Sequence, residues 1–306
     1  MRSTSYDHLL IWPVMFLMVI NCDALDAVTV TQVIRDGDTL VSAGGRFEMG
    51  FFSGSSGRRY VGIWYNRIPV QTVVWVANRE TPLLDSSGVL QVTNKSILTL
   101  VNGTGGIIWS TNTSKLVQNP IAQLLDSGNL VVRDQNDSNP QNFLWQSFDY
   151  PSDTQLPGMK LGRDLVTGFD RVLTSWKSSD DPSPGSYTYR IDPRGYPQPF
   201  LLKDSIPQFR DGPWDGIWFS GTATSLSDTA DSFQFVLNDK EIYYIFDELD
   251  PSVMTTRSLN PDGTIERHNW NNHTQWWAKY YTKPVDNCDT YAVCGSFGIC
   301  NVGNSP

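Results

Sequence analysis

Three strand segments that each end in tryptophan constrain the fold more than any other feature of this chain. They are Val73-Val74-Trp75, Ile107-Ile108-Trp109 and Phe143-Leu144-Trp145, and their tryptophans are separated by 34 and 36 residues. A second apolar strand precedes each segment, near Ile63-Trp64, Ile97-Leu98 and Leu130-Val131. Short strands that alternate with Gly, Asn, Ser and Asp turns, repeated three times, predict three small antiparallel sheets around a pseudo-threefold axis.

Trp75, Trp109 and Trp145 are predicted to share the centre of these three sheets. Their apolar neighbours favour a core position, in which the large rings bury apolar surface. The functional alternative is that the three rings are stacking platforms for sugars. The packing of the rings distinguishes the two interpretations.

Composition supports a β-rich globular protein and argues against one class of partner. The 306 residues are 40% hydrophobic and 18% charged, and they include 11 Trp, 12 Tyr and 14 Phe with 24 Gly and 18 Pro. Aromatic residues favour strands, and Gly and Pro favour turns. Because the formal net charge is −9, and nucleic-acid binding needs clustered Lys and Arg, no nucleic-acid partner is expected.

The first 24 residues have the pattern of a signal peptide. An apolar run from Leu9 to Ile20 follows Arg2 and ends before Cys22-Asp23-Ala24, which places small residues at a cleavage point. The run is too short to span a bilayer, so no membrane span is expected in this chain. We therefore predict a secreted, extracellular protein.

Five acceptor sequons agree with secretion. Each lies in a polar, turn-like setting where a glycan would remain in water. Three of the five fall within about twenty residues of one another, which predicts a glycosylated face. The acceptors are Asn94, Asn102, Asn112, Asn136 and Asn272.

The cysteines of the mature chain are odd in number. Removal of the signal peptide leaves Cys288, Cys294 and Cys300. An odd count in an oxidising compartment indicates that one cysteine lacks its partner. Since both intervals are of similar length, spacing alone leaves every pairing open.

The sequence predicts no enzyme, cofactor or metal site. His268 and His273 are five residues apart, with no third ligand or nucleophile nearby, and we interpret them as surface loop residues. The pair Asp180-Asp181 lies in a turn-forming stretch rich in Ser and Pro. Neither a phosphate-binding loop nor a protein-kinase signature is present in the sequence.

The second half of the chain also has strand patterns. Residues 233–249 predict a hairpin that turns at Asn238-Asp239, and residues 255–270 predict another that turns at Pro261-Asp262-Gly263. Together with residues 190–202 they predict a second β-domain. The stretch between the two halves, residues 150–170, has two Pro and few strand-formers and is predicted as a linker.

Several long stretches resemble a known plant family. They are YVGIWYNRIPVQTVVWVANRETPL (60–83), AQLLDSGNLVVRD, FLWQSFDYPSDTQLPGMKLG, LTSWKSSDDPSPGSYTYRIDPRGYPQPFL, QFRDGPWDGIWFSG and CDTYAVCGSFGIC. These stretches are similar to the ectodomains of the S-domain, or G-type lectin, receptor-like Ser/Thr kinases and to the S-locus glycoproteins. The resemblance covers nearly the whole chain.

The resemblance implies an all-β architecture in five parts. A signal peptide (1–24) precedes a bulb-type lectin domain (25–149), which is a β-prism with pseudo-threefold symmetry. A linker (150–170), an S-locus glycoprotein domain that is also lectin-like (171–287) and the start of an EGF-like module (288–306) follow. Family members continue into a PAN module, a transmembrane helix and a kinase, so the chain is expected to be a truncated ectodomain.

The resemblance also implies a disulfide pairing. In the family's EGF-like module the first cysteine pairs with the third. By this rule Cys288 pairs with Cys300. Cys294 is then left unpaired.

The family's sugar site is only partly present. Bulb-type lectins hold mannose with Gln-x-Asp-x-Asn-x-Val-x-Tyr on one strand face, because residues two apart point the same way. In this chain the five positions are Leu125, Ser127, Asn129, Val131 and Arg133, and only Asn129 and Val131 match. An earlier unit, assigned as Val92, Asn94, Ser96, Leu98 and Leu100, matches less. We predict a degenerate carbohydrate site.

These observations favour an extracellular recognition module of the receptor-kinase type. The expected partner is a protein or peptide ligand, or a related receptor ectodomain, in cell-surface signalling such as pollen recognition or defence. The alternative is a working mannose-binding lectin in which Asn129 anchors the sugar.

Overall fold

The chain folds entirely into β-sheets and short turns. A computed structural model describes residues 25–54, 57–216, 219–220, 231–250, 252–301 and 303. The predicted signal peptide lies outside these ranges. Over the described residues there are 24 strands, three 3-10 helices and no α-helix. The predicted all-β fold is confirmed.

The first twelve strands form a β-prism of three four-stranded antiparallel sheets. The sheet orders are β3-β4-β5-β6, β2-β7-β8-β9 and β1-β10-β11-β12. Each sheet therefore consists of one N-terminal strand and three consecutive later strands. The strands are β1 (Ala27–Thr29), β2 (Val33–Arg35), β3 (Thr39–Val41), β4 (Phe47–Ser53), β5 (Arg59–Tyr65), β6 (Val73–Val76), β7 (Val89–Val92), β8 (Leu98–Val101), β9 (Ile107–Ser110), β10 (Pro120–Leu124), β11 (Leu130–Asp134) and β12 (Trp145–Gln146).

The remaining twelve strands form a second prism, again with three four-stranded sheets. Their orders are β16-β17-β18-β19, β15-β14-β21-β20 and β13-β22-β23-β24. The strands are β13 (Thr154–Gln155), β14 (Leu161–Asp164), β15 (Asp170–Arg171), β16 (Leu173–Ser178), β17 (Asp181–Asp192), β18 (Gln198–Lys203), β19 (Ile206–Arg210), β20 (Asp231–Leu237), β21 (Glu241–Glu248), β22 (Thr255–Leu259), β23 (Ile265–Asn271) and β24 (Trp276–Lys283). The 3-10 helices are Pro140–Asn142, Ser147–Asp149 and Asn287–Asp289.

The predicted linker is wrong in its location, because residues 150–170 contain strands of the second prism. Thr154 and Gln155 of β13 pair with Ser258 and Arg257, and β14 pairs with β21. These strands are only two and four residues long and their partners follow much later in the chain. Local composition therefore gave no sign of them.

Both predicted hairpins of the second half are confirmed. Strands β20 and β21 pair from Asp231↔Glu248 to Leu237↔Ile242, and β22 pairs with β23 up to Leu259↔Ile265. The Asn238 side chain accepts hydrogen bonds from the backbone N–H groups of Lys240 and Glu241. Gly263 has a φ of +87° at the second turn, a conformation that glycine adopts without steric cost.

The three repeated tryptophans meet at the axis of the first prism. Their ring centres are 6.0 Å apart for Trp75 and Trp109, 6.0 Å for Trp75 and Trp145, and 5.7 Å for Trp109 and Trp145. All three contacts are edge-to-face, the geometry that the ring quadrupoles favour. Trp75 and Trp145 are buried, Trp109 is half-buried, and Nε1 of Trp75 donates to the carbonyl of Tyr150 over 2.8 Å.

The two prisms share an extensive interface. Trp270 of β23 belongs to the apolar core of the first prism, and Phe52 of β4 stacks on Trp176 of β16. Arg46 donates two 2.7 Å hydrogen bonds to the Glu248 carboxylate across this interface. The outer face of sheet β3-β4-β5-β6 is therefore covered by the second prism.

Arg79 fixes the interface at one corner. Its guanidinium donates to the carbonyls of Pro182 at 2.7 Å, Thr174 at 3.0 Å and Ser175 at 2.6 Å. The residue is only 8% exposed. Because each of the three nitrogens donates to a carbonyl oxygen, these bonds offset part of the cost of burying the charge.

Candidate functional site

The residues predicted to form a degenerate carbohydrate site lie on the β10-β11 hairpin. Leu130 and Val132 point into the core, so Asn129, Val131 and Arg133 share the opposite face. Gly128 closes the turn with a φ of +83°. A Cβ there would lie 2.7 Å from Leu156 and 3.0 Å from Phe47, so both conformation and space require glycine.

The Asn129 side chain is engaged by the protein itself. Its Nδ2 donates to Oε1 of Gln146 over 2.9 Å. Its Oδ1 accepts from the Ser147 hydroxyl and from the backbone N–H of Phe148, both at 3.2 Å. Asn129 is 6% exposed. These bonds hold the 3-10 turn that follows β12 against the start of β11.

The same chain of hydrogen bonds reaches the second prism. Gln146 Nε2 donates to Asp149 over 3.1 Å, and Asp149 accepts from Arg171 Nε over 2.6 Å. Arg171 lies in β15. The Asn129 end of the site is thus connected to the second prism through two side chains.

Arg133, which replaces the family's tyrosine, is also held internally. Its Nε donates to Oε1 of Gln123 at 2.9 Å, and Gln123 donates in turn to Asp26 at 2.9 Å. Its Nη1 atom donates to the carbonyls of Asp134 at 2.7 Å and Gln135 at 3.0 Å. The guanidinium therefore closes the loop after β11.

Val131 lies between these two groups of hydrogen bonds. Its cross-strand neighbours are Gln123 on one side and Gln146 on the other, and it is fully buried. Ser127 is exposed in the turn, where its hydroxyl accepts from the backbone N–H of Asn129 at 3.3 Å. The structure brings Asn129, Val131 and Arg133 onto one face and leaves Ser127 at its end.

The assignment of the earlier unit is wrong by one residue. Val92 pairs with Leu98 as Leu124 pairs with Leu130, so Ile97 and Thr99 occupy the positions of Asn129 and Val131. A shift of one residue moves every side chain to the other face. Accordingly Val92, Leu98 and Leu100 lie in the core, Ser96 is buried in the turn, and Asn94 is exposed beside it.

The first unit has no open face at all. Ile63 pairs with Trp75 as Val132 pairs with Trp145, which places Tyr60 and Gly62 at the positions of Asn129 and Val131. Tyr60 is 1% exposed and packs in a cluster that includes Trp176 of the second prism. None of the three units therefore presents the five-residue mannose pattern.

The predicted glycan acceptors and cysteines lie mostly at the surface. Asn94, Asn112, Asn136 and Asn272 are exposed, and Asn102 is half-buried, with its Oδ1 bonded within a turn. Cys288 and Cys300 form a disulfide with their Cα atoms 5.5 Å apart, and Cys294 is an exposed thiol.

The two histidines differ in setting. His273 lies in an exposed turn, as predicted, whereas His268 lies in strand β23 and is half-buried. Burial lowers the pKa of His268, and Glu266, 3.6 Å away, acts in the opposite direction. The interpretation of His268 as a loop residue is wrong because β23 extends to Asn271.

Sequence reasoning missed a second candidate site, which we call the basic-aromatic face. Arg190, Phe200 and Arg210 are direct cross-strand neighbours on β17, β18 and β19. Tyr291 packs edge-on against Phe200 at 5.9 Å, and Arg210 lies over the Tyr291 ring at 5.9 Å. Beside them a cleft of about 540 Å³ is lined by Arg163, Arg190, Arg194, Phe200 and Tyr291, among others.

The net charge of this face is opposite in sign to the net charge of the whole chain. Arg163 and Arg190 share one carboxylate, Asp170, at 3.4 and 2.7 Å, and Arg194 pairs with Asp192 at 2.7 Å. Arg210 is exposed. Asp289 lies beside Arg210 and Tyr291. Four guanidinium groups thus lie near three carboxylates, a local positive excess of one in a chain of net charge −9. Because Arg163, Arg190 and Arg210 lie on three different strands, no local sequence pattern reports this face.

Comparison with known proteins places the chain in a family. Residues 72–177 match the D-mannose binding lectin domain, and residues 209–306 match the S-locus glycoprotein domain. The S-locus-specific glycoprotein S6 of Brassica oleracea is 40% identical over 301 residues, which cover 96% of this chain and 69% of that protein. The chain belongs to the S-locus glycoprotein family.

This chain is also similar to receptor kinases. The receptor-like serine/threonine-protein kinase SD1-8 of Arabidopsis thaliana is 39% identical over 301 residues, 97% of this chain and 35% of the kinase. The chain thus spans about two thirds of the S-locus glycoprotein and about a third of the receptor kinase. Its two matched domains are of the extracellular lectin and S-locus types found in such ectodomains.

One part of this chain is also similar to a lectin of known structure. The mannose-specific agglutinin from snowdrop bulbs is 17% identical, covers 38% of this chain and 94% of its own, and has a TM-score of 0.29. Over the residues described here, no helix is long and apolar enough to cross a membrane.

Proposed function

We propose that this protein is an extracellular recognition module that binds a peptide or protein ligand through the basic-aromatic face. The observation that carries the proposal is the contrast between the two candidate sites. The side chains of the carbohydrate face are bonded to one another, whereas the basic-aromatic face presents donors and rings at an open cleft.

The carbohydrate face offers little to a sugar. Asn129 already uses its Nδ2 and Oδ1 atoms within the protein, and Arg133 is bonded to Gln123 and to two carbonyls. A sugar hydroxyl would have to replace these bonds rather than add to them. Since each neutral hydrogen bond contributes only about 0.5–1.5 kcal/mol, such an exchange gains little affinity.

The basic-aromatic face offers the features of a ligand site. Its cleft of about 540 Å³ lies within the usual range of roughly 300–1,000 Å³ for binding pockets. Guanidinium groups bind carboxylates through two parallel hydrogen bonds, and Phe200 and Tyr291 provide apolar contact between them. The chemistry favours a ligand segment with Asp or Glu next to an apolar residue.

The two matched domain types support the proposal that this recognition takes place outside the cell. Secretion or cell-surface display agrees with the signal pattern, the five sequons and the disulfide. In the proposed role the module reports a ligand to a signalling partner, as in pollen recognition or defence. A related ectodomain is the other partner that the same face would accommodate.

Binding to two arrays tests the proposal. The secreted protein is applied to an array of acidic peptides with matched neutral peptides, and to a glycan array that contains mannosides. We expect binding to acidic peptides that falls at least tenfold in Arg210→Ala and in Phe200→Ala. Arg35→Ala is the matched control, since Arg35 is an exposed arginine on the first prism.

Two other patterns of binding would overturn the proposed function. Mannoside binding that is lost in Asn129→Ala and unchanged in Arg210→Ala, with no peptide binding, would establish the lectin alternative. Concentration-dependent self-association that is lost in Arg210→Ala, without peptide binding, would favour a sister ectodomain as the occupant.

A further inference from the structure

A second cleft opens beside the packed rings of Trp75, Trp109 and Trp145, and we call it the tryptophan cleft. Its volume is about 580 Å³. It lies where the first prism meets the second, so residues from both prisms line it. They include Trp109, Ser110, Asn112, Trp145, Tyr150 and Thr174.

The aromatic wall of this cleft is fixed in place. Tyr150 stacks on Trp145 with ring centres 5.6 Å apart and planes at 13°, and its carbonyl accepts from Trp75 Nε1. Tyr150 is nevertheless 44% exposed. Phe169 also contacts the Tyr150 ring, edge-on at 5.4 Å. The part of the fixed ring that remains exposed is suited to contact with the C–H face of a sugar ring.

The part of the lining around Arg79 and Thr174 is also fixed. The three hydrogen bonds of Arg79 hold the carbonyls of Thr174, Ser175 and Pro182, and the Thr174 N–H donates to the carbonyl of Ser152 over 2.8 Å. The cleft is therefore preformed, and an occupant would not have to order its walls.

One residue of the cleft is also a glycan acceptor. Asn112 lies two residues beyond the end of β9, is exposed, and begins the sequon Asn112-Thr113-Ser114. A sugar attached to Asn112 would be tethered at the cleft itself. Tethering converts binding into an intramolecular event at an effective concentration of about millimolar or more.

We propose that the N-linked glycan of Asn112 folds back into the tryptophan cleft, where its first sugar rings pack on Tyr150 and the half-buried Trp109. In the attachment step, Asn112 Nδ2 bonds to the anomeric carbon of a lipid-linked oligosaccharide diphosphate. The bond from that carbon to the diphosphate breaks, the lipid diphosphate departs with the bonding electrons, and one amide proton passes to solvent. The glycan is thus a structural part of the interface between the prisms.

Site-resolved deglycosylation tests the proposal. The native secreted protein is treated with an amidase that releases N-glycans, and release at each site is followed by mass spectrometry. We expect the Asn112 glycan to be released at least tenfold more slowly than the glycans of Asn94 and Asn136, which are the exposed controls. After denaturation the rates should converge, and Tyr150→Ala should remove most of the difference in the folded protein.

A second measurement avoids changes to the aromatic residues. Acrylamide quenching of tryptophan fluorescence should increase in Asn112→Gln and remain unchanged in Asn94→Gln, because only the first change uncovers the cleft. An unmodified Asn112 in the secreted protein, equal release rates in the folded state, or equal quenching in the two variants would overturn the proposal.

Discussion

Trp145 carries a large share of the packing at the axis of the first prism. It contacts Trp75, Trp109 and Tyr150 and is 6% exposed. We predict that Trp145→Ala lowers the free energy of unfolding by about 3–5 kcal/mol, because the cavity would not be refilled. Denaturant unfolding followed by circular dichroism measures the change.

Trp276 is the matched control, because it is 66% exposed on β24. Trp276→Ala should change the stability by no more than about 0.5 kcal/mol. If Trp145→Ala retained normal stability and lost only ligand binding, the tryptophans would be sugar platforms rather than core residues.

Asp153 makes the interface between the prisms sensitive to pH. Burial raises the pKa of Asp153 from 3.8 to about 6, and the positive charge of Arg79 partly opposes the shift. A folded-state pKa above the unfolded value means that this residue's contribution is fully present below about pH 4 and is lost as the pH rises through about 6. The shift corresponds to at most about 3 kcal/mol.

We therefore predict that the wild type loses stability relative to Asp153→Asn as the pH rises from 4 to 6. Paired thermal unfolding curves of the two proteins across this range measure the effect. A difference between them that is independent of pH would contradict the shifted pKa.

At the scale of strands and hairpins, the sequence was informative where the pattern is local. The tryptophan repeat predicted the three sheets, and the turns at Asn238-Asp239 and Pro261-Asp262-Gly263 predicted two hairpins that are present. The register in which β7 pairs with β8 could not be predicted from the local sequence. Asn94 and Ser96 alternate like a sugar face, but only the pairing of Val92 with Leu98 decides which side faces the core.

The hydrogen bonds of Asn129 belong to the hairpin as a whole. We predict that Asn129→Ala lowers the free energy of unfolding by about 1–3 kcal/mol, because the Phe148 N–H and the Ser147 hydroxyl lose a shared acceptor. Chemical denaturation measures it. Asn119→Ala, at an exposed position next to β10, should have little effect.

The stability measurement on Asn129→Ala is also a control for the binding experiment. A loss of mannoside binding in Asn129→Ala has meaning only if the variant is folded under the assay conditions. Unchanged stability in Asn129→Ala would show that its internal bonds contribute little, and it would weaken the argument against a sugar at this face.

At the scale of the whole molecule, the chain is two prisms joined by contacts between distant residues. Arg46 and Glu248 are 202 residues apart in sequence, and Tyr65 donates to the carbonyl of Thr255 across 190 residues. No local pattern reports such pairs, so the sequence indicated two domains but neither their interface nor the true start of the second. The basic-aromatic face was missed for the same reason, since it forms only when three strands align.

We predict that the two prisms unfold as one cooperative unit. Arg79→Ala removes three hydrogen bonds to backbone carbonyls and should cost at least about 3 kcal/mol. Calorimetry should show a single transition for the wild type and two separate transitions for Arg79→Ala. Arg35→Ala should retain the single transition, and two transitions in the wild type would show that the prisms are independent.

The bonds of Asn129 to the turn after β12 bear on how such sequences are interpreted. An asparagine that supports the backbone here would be retained for folding whether or not any sugar is ever bound. A pattern search that scores Asn-x-Val would therefore give the same positive result for a working lectin and for a chain that has changed its ligand. The informative positions are Leu125 and Ser127, where the sugar-binding pattern requires a glutamine and an aspartate and this chain carries neither.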